Sequence, residues 1–482
     1  MATSDIVAPA PAGGQWHLVA APLVFLLVIA APLDAVAYPV RGGIGLLIWM
    51  SWWWISRCVH LAVTGFLPLV VLAVFDFLPV TSILPAYSQQ LVILLIGANV
   101  LATLWNRWGL DRRIALVSLI GIGAGTRQQI LSWFLIATLL SAILPNTVVA
   151  AAMMPIVVAT LRYIGIADIG RSAFGSALLI AIAWGTSVGG SATPIGGAPN
   201  LLTVQFIERE LIDHEFLFTT WVTRVLPLTA LSAVVAFVFM RFALKPEIER
   251  VEGTREYFAR ELLALGRLSV PERWGLGLFA AALALAFGRE LYAELLPGLT
   301  PAFAFLVCGV AAFVLRHRGE PILTWEFAQG RMVWGLIYLF AGGSALGQVL
   351  SDTGTAQFVA DLVTPLAAGG GFAAILAFTT LTIVLTQVTS NTAAIAIVVP
   401  ITISTFESLG LNPIPMVYIV AAAGNYGLML PSSSGGTAIA AGYGVDLRAM
   451  LTSGAWLTLL ILVSLTFGGY LLMSLWPGYG VA

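Results

Sequence analysis

The chain has 482 residues, of which 59% are hydrophobic and 9% charged, with a formal net charge of −1. Soluble domains carry about 25% charged residues, so a water-soluble globule is excluded, and so is a nucleic-acid binder, which needs a basic stripe. The two cysteines, Cys58 and Cys308, are too few for a disulfide framework and read as small buried hydrophobes.

Residues 1–15 are mostly small and hold no Lys or Arg, unlike the basic start of a cleaved signal peptide, and read as a short disordered tail. A spanning helix needs about 20 predominantly apolar residues. Runs near 17–33, 42–56, 61–78 and 91–106 fit that need. The next run, 128–162, is too long for one span and carries an Asn-Thr pair within LPNTVVAAAMMP, residues 144–155. A helix–turn–helix hairpin that enters and leaves from one side suits its length. The run 173–206 is also over-long, is interrupted by Gly, Pro and Ser, and predicts a discontinuous helix. A span near 221–241 follows, then a Glu- and Arg-rich stretch, 242–274, expected as a solvated cytoplasmic linker. Spans near 275–293, 300–315 and 333–351 precede a second over-long run, 370–408, with an Asn-Thr pair in TSNTAAIAIVVP, residues 389–400. A second discontinuous helix near 413–445 and a final span near 453–475 complete the chain.

Basic residues favour the cytoplasmic side of a membrane protein. With the N-terminus in the cytoplasm and both hairpins in place, all 22 Lys and Arg except Arg41, Arg209, Arg224 and Arg289 fall inside. Removing a hairpin would flip the downstream loops and destroy this bias. The C-terminus is then outside, in what reads as a bacterial inner-membrane protein.

The two Asn-Thr pairs belong to a longer repeat. An offset of 245 relates Asn146 to Asn391 and also Gly97 to Gly342, Gly109 to Gly354, Thr147 to Thr392, Ala151 to Ala396 and Pro155 to Pro400. An offset of 237 relates Gly190 and Pro194 to Gly427 and Pro431. The chain divides into a first half with scaffold helices (1–240), the linker (241–274) and a second half (275–482). The first hairpin opens to the cytoplasm and the second to the outside. Inverted repeats whose broken helices meet at the midplane are the architecture of secondary transporters.

Irregular backbone at membrane depth survives only where it is buried or lines a wet cavity. Helix N-termini suit an anion, whereas unwound carbonyls, amide oxygens and hydroxyls suit a hard cation such as sodium. Interhelical hydrogen-bond glue is the alternative role for one Asn-Thr pair, but two pairs in register, each followed by a broken helix, favour a site. No Asp, Glu, Lys, Arg or His lies in either hairpin core or break. A proton relay wants such a group, so the pattern points to a metal cation on neutral oxygens. The same gap argues against an enzyme, because nucleophilic catalysis wants a base and His17, His60, His214 and His317 lie at predicted edges or loops. Hairpins from opposite sides also suit alternating access better than a channel.

These residues resemble the divalent anion:sodium symporters, a family marked by Ser-Asn-Thr at two hairpin tips and a Gly/Pro-rich break in a later helix. The resemblance runs from about Leu91 to the end. It implies about eleven transmembrane helices, a homodimer through a scaffold domain, and elevator-type movement of a transport domain. Ser390, Asn391 and Thr392 match the second tip, and Asn146 and Thr147 the first, where Pro145 replaces the serine. Ser141 and Thr386 lie where the family places sodium ligands. The breaks read ATPIGGAPN (192–200) and LPSSSGGTA (430–438). The resemblance thus implies a substrate cradle of Asn146, Thr147, Gly197, Ala198, Ser390, Asn391, Thr392, Ser434 and Gly435. It implies sodium ligands from Ser141, Asn146, Gly196, Thr386, Thr389, Asn391 and Ser433.

The expected protein is an all-α integral membrane carrier with two inverted repeats, two re-entrant hairpins and two discontinuous helices. It moves a divalent organic anion of C4-dicarboxylate type with sodium, uses no organic cofactor and is not an enzyme. Sodium-independent exchange, and a tricarboxylate, sulfate or other oxyanion as cargo, remain open alternatives, because the Ser/Gly-rich breaks leave room for a bulkier anion.

Overall fold

The structure, a computed structural model, describes residues 16–31, 36–56, 58–119, 123, 125–251, 254–332, 334–359, 361, 371–431 and 433–481; the expected N-terminal tail lies outside them. In hydrocarbon every backbone N–H and C=O must be paired internally, which leaves helices as the way for this chain to cross. Among the described residues, eight helices are long and apolar enough to cross a membrane. Four shorter apolar helical stretches accompany them: Trp16–Ala30, Leu61–Phe75 (interrupted), Pro301–Val314 and Ile414–Gly424. Among the described residues the strands are one two-residue pair, Arg316–His317 against Glu320–Pro321. The observed fold is therefore the expected all-α membrane fold.

Both over-long runs fold as helical hairpins. The first has arms Thr126–Ser141 and Asn146–Tyr163, and the second has arms Gly371–Val388 and Asn391–Ser408. Each second arm starts on its Asn and carries the repeat-related proline, Pro155 or Pro400, in its interior. The two interrupted runs are broken helices, Ala173–Gly190 with Ala198–Glu210 and Ile414–Gly424 with Gly435–Gly442. One span departs from expectation. The run 61–78 splits into Leu61–Thr64 and Leu67–Phe75. Proline at the start of the second piece suits a helix N-terminus, and the Gly65 carbonyl freed by the break accepts a hydrogen bond from Tyr87 Oη at 2.6 Å.

The repeat reappears as crossed packing. Helix Gln90–Trp108 packs on Pro301–Val314 from the other half, and Trp334–Asp352 packs on Leu61–Thr64 and Leu67–Phe75. The repeat-related glycines make both approaches: a β-carbon on Gly97 would lie 2.6 Å from the Phe305 carbonyl carbon, and one on Gly342 would collide with Gly65. The second arms of the broken helices also cross. Ala198–Glu210 packs against Asn391–Ser408, while Gly435–Gly442 packs against Asn146–Tyr163. The broken helices hold the centre, with Ile414–Gly424 buried at every position and Ala173–Gly190 at nearly every one. Helices Phe218–Ala243 and Leu447–Leu475 leave Val234, Val238, Phe242, Trp456 and Phe467 exposed, an apolar face for hydrocarbon.

The linker is docked, not freely solvated. Its helix Thr254–Ala264 packs on Leu110–Leu119. Phe258 is buried and meets the Trp133 ring at 6.1 Å, and Tyr257 stacks on Tyr163 at 5.0 Å. Arg113 donates to Glu272 Oε1 at 2.6 Å and to the Gly266 carbonyl at 2.8 Å. The Glu- and Arg-rich composition hid one apolar helical face that folds back on the bundle.

Candidate functional site

Each hairpin tip is tied to the break of its own half by the same backbone bond. Asn146 N–H donates to the Gly196 carbonyl at 3.1 Å, and Asn391 N–H donates to the Ser433 carbonyl at 3.3 Å. Gly196 and Ser433 are related by the same offset of 237 that pairs the breaks. The polar pair stands twice in an apolar chain because each copy closes a hairpin onto an unwound helix.

In the first half, backbone oxygens of the tip and the break come close together. A β-carbon on Gly196 would lie 2.7 Å from both the Ser141 and Gly190 carbonyl oxygens. One on Gly190 would lie 3.2 Å from the Gly196 carbonyl oxygen and 3.5 Å from Asn146 Nδ2. Glycine at both positions leaves those carbonyls free to converge. The Ser141 hydroxyl is buried and donates to the Thr186 carbonyl at 2.9 Å. Pro145 at the N-cap supplies no side-chain acceptor. Asn146 Oδ1 takes over by accepting the Thr147 N–H at 2.9 Å.

The second half repeats this with more side-chain oxygen. A β-carbon on Gly427, the counterpart of Gly190, would lie 2.6 Å from Asn391 Oδ1 and 2.6 Å from Ser433 Cβ. The Thr386 hydroxyl donates to Asn391 Oδ1 at 2.6 Å and lies 3.0 Å from the Gly424 carbonyl. Asn391 Nδ2 donates to the Asn425 carbonyl at 2.9 Å. Thr389 is buried and its hydroxyl has no hydrogen-bond partner. Ser390 caps the second arm by accepting the Ala393 N–H at 3.1 Å, and Thr392 is buried beside it.

The halves meet at the second arms of the breaks. Gly435 lies against Thr147, whose hydroxyl would collide with any β-carbon there. Ser434 caps this arm, accepting the Thr437 N–H at 3.2 Å. Gly197 is the N-cap of the other arm, and Ala198 opens it, half-buried. The expected site residues thus fall into two tip-and-break clusters, with Thr147 and Gly435 joined across the halves.

Several residues here were not among the expected ones. Gln387 satisfies three backbone groups of the second break: its Nε2 donates to the Tyr426 carbonyl at 2.7 Å, while its Oε1 accepts the Leu428 and Met429 N–H groups at 2.9 and 3.0 Å. Asn200 donates to the Gly190 and Thr193 carbonyls at 2.6 and 2.7 Å, and its Oδ1 accepts Asn425 Nδ2 at 2.7 Å. The Thr193 hydroxyl donates to the Ala142 carbonyl at the first tip, 2.6 Å away. An amide inside an apolar run was the available signal for Gln387 and Asn425, since buried polar groups demand partners.

Among the described residues no cluster of three or more His, Cys, Asp or Glu is placed to hold a metal ion. A cation at either tip would meet neutral oxygens, the kind of ligand that unwound transporter helices offer sodium. One carboxylate acts at the other end of the first broken helix. Glu247 of the linker accepts the Phe174 N–H at 2.7 Å and the Ser172 hydroxyl at 2.5 Å, capping the first broken helix at its far end. Partial burial alone would raise its pKa, but the bonds from Ser172 and Phe174 outweigh that and hold it below the usual carboxylate value.

Two hairpins closed onto two broken helices within a bundle of apolar helices define a membrane transporter, not an enzyme. The chain belongs to the CitMHS family, described as citrate transporters, whose pattern matches residues 46–423. It is 26% identical over 441 residues to the sodium-dependent dicarboxylate transporter SdcS of Staphylococcus saprophyticus, covering 88% of this chain and 85% of the relative. It is also 26% identical over 494 residues to SdcS of Staphylococcus aureus strain MSSA476, covering 98% and 94%. These relatives agree with the resemblance to divalent anion:sodium symporters. A crystal structure of the Alcanivorax borkumensis YdaH transporter shares the fold, with a TM-score of 0.55, 15% identity, and coverage of 92% of this chain and 99% of that one.

Proposed function

We propose that this protein is a sodium-coupled secondary carrier of a divalent organic anion of C4-dicarboxylate type. The observation that carries the reading is the twice-built junction, Asn146 to Gly196 and Asn391 to Ser433, with neutral oxygens converging beside each Asn. The names of the relatives, sodium-dependent dicarboxylate transporters, support the same cargo. Sodium occupies the two clusters, held by Ser141, Asn146 and Gly196 in one and by Thr386, Thr389, Asn391 and Ser433 in the other. The anion lies between the tips, where Thr147, Ser390 and Thr392 offer hydroxyls and Gly197, Ala198, Ser434 and Gly435 offer the starts of the second arms. The hairpins and broken helices move as a transport domain against the remaining helices, in an elevator-type cycle within a homodimer. The protein sits in a bacterial inner membrane with its N-terminus in the cytoplasm. Sodium here is cargo and needs no organic cofactor beside it.

One observation favours a second reading, sodium-independent exchange. Pro145 removes the hydroxyl cap that Ser390 supplies at the other tip. Proteoliposomes preloaded with unlabelled succinate, or left empty, separate the two. Labelled succinate that enters empty vesicles only when sodium is present supports symport. Entry that requires internal succinate and ignores sodium supports exchange. Competition by citrate and sulfate in the same vesicles reads the cargo class.

A further inference from the structure

We infer that Asn425 and Asn200 form an amide bridge that orients Asn391 and makes the two cation clusters bind cooperatively. This rests on the proposed sodium sites and adds two positioning residues to them. The bridge is continuous. Asn391 Nδ2 donates to the Asn425 carbonyl at 2.9 Å. Asn425 Nδ2 donates across the halves to Asn200 Oδ1 at 2.7 Å. Asn200 Nδ2 donates to the Gly190 carbonyl at 2.6 Å. That carbonyl is one of the two lying 2.7 Å from the position of a Gly196 β-carbon. A path of hydrogen bonds therefore runs from the amide of the second cluster to a carbonyl lining the first. Asn200 and Asn425 are both fully buried, so no water competes for these bonds.

The direction of each bond matters. An asparagine amide turned over exchanges an acceptor for two donors. Because Asn391 spends its Nδ2 on the Asn425 carbonyl, its Oδ1 faces Thr386 and Gly427, the side where a cation would sit. The Asn425 carbonyl is in turn placed by its side chain, which also donates to the Ala421 carbonyl at 2.9 Å. A cation on the Gly190 oxygen fixes the carbonyl that holds Asn200 and, through Asn425, the Asn391 amide, so a second cation meets ligands that are already ordered. Asn425 Oδ1 is left without a hydrogen-bond partner, 2.7 Å from the position of a Gly197 β-carbon. Tolerating an orphaned acceptor in the core is costly, which suits an amide held in one orientation for the sake of its other bonds. The bridge has no counterpart within one half: the offset of 237 would relate Asn200 to Thr437 and Asn425 to Val188. It is a link between the halves and not a repeated structural element.

The test is equilibrium binding of labelled sodium to the purified protein at one temperature, with choline keeping ionic strength constant, beside thermal unfolding in sodium-free buffer. It compares the unsubstituted chain with Asn425→Ser, Asn200→Ala and the double variant. Serine keeps a hydroxyl for the Ala421 carbonyl, four residues back, and cannot reach Asn200, so Asn425→Ser is the variant expected to fold. The unsubstituted protein should show a Hill coefficient approaching about 2, the number of cation clusters. Each single variant should fall to about 1, and the double variant should fall no further, because either change cuts the same path. A merely structural role would lower the sodium-free melting temperature and leave the Hill coefficient unchanged, which overturns the proposal. A coefficient of one in the unsubstituted protein also overturns it, while leaving the sodium sites standing. No sodium binding at all would overturn the sites and the bridge together.

Discussion

Gly196→Ala tests the first cation cluster at its tightest point. The added β-carbon would sit 2.7 Å from the Ser141 and Gly190 carbonyl oxygens, against 3.4 Å for ordinary contact. Each oxygen must retreat by about 0.7 Å or the chain must shift by a similar amount, and a misplacement near 1 Å at a binding centre costs on the order of 100-fold. The Gly190 carbonyl is also fixed by Asn200 at 2.6 Å, and Gly196 by Asn146 at 3.1 Å, so the strain has no soft neighbour to absorb it. The half-saturating sodium concentration for uptake should rise at least about tenfold, about 1.4 kcal/mol. Gly277→Ala is the control, since nothing lies within 4 Å of its β-carbon position. Sodium-dependent uptake is measured across a wide sodium range in proteoliposomes matched for protein content. An unchanged half-saturation and maximal rate for Gly196→Ala would refute the reasoning that these carbonyls bind the ion.

Asn391→Ala should abolish uptake while the protein still elutes as a folded species in detergent. Thr386 keeps the Gly424 carbonyl, 3.0 Å away, so the loss is about 1–3 kcal/mol for the unpaired Asn425 carbonyl. Unfolding in detergent would favour a purely structural role. Glu272→Ala leaves Arg113 buried without its carboxylate and should cost about 3–5 kcal/mol, read as a lower midpoint in thermal unfolding. Glu247→Gln should cost about 0.5 kcal/mol at neutral pH, the scale of an exposed carboxylate at a helix N-terminus. Because the folded pKa of Glu247 is lowered, its stabilisation is complete above the unfolded pKa and fades as pH falls through the folded one. The two melting curves should therefore converge only in acid, and a gap that persists there would argue against the cap.

The hairpins and breaks were legible because apolar length cannot hide. Stretches such as 128–162 and 370–408 exceed one span, and the bilayer leaves few other ways to fold them. The tip-and-break clusters were legible through the repeat, which singles out Asn146 with Asn391 and Gly190 with Gly427. The same dependence on the repeat explains what was missed. Asn425 corresponds to Val188 and Gln387 to Ala142, so neither has a partner in register. Yet one bridges the halves and the other satisfies the second break. The break in 61–78 was missed because Gly65 and Pro68 do not lower the apolar content of the run. The docking of the linker was missed because Phe258 and Leu262 sit among Glu and Arg, and only the folded helix brings these two, one turn apart, onto one apolar face.

The central claim is that sodium drives the anion through this site. Labelled succinate uptake into empty proteoliposomes, under an inward sodium gradient and with choline in its place, tests it most directly. The account predicts transient accumulation above the external concentration with sodium, none with choline, and none with Asn391→Ala. Equal entry under both cations, or accumulation that survives Asn391→Ala, would contradict it.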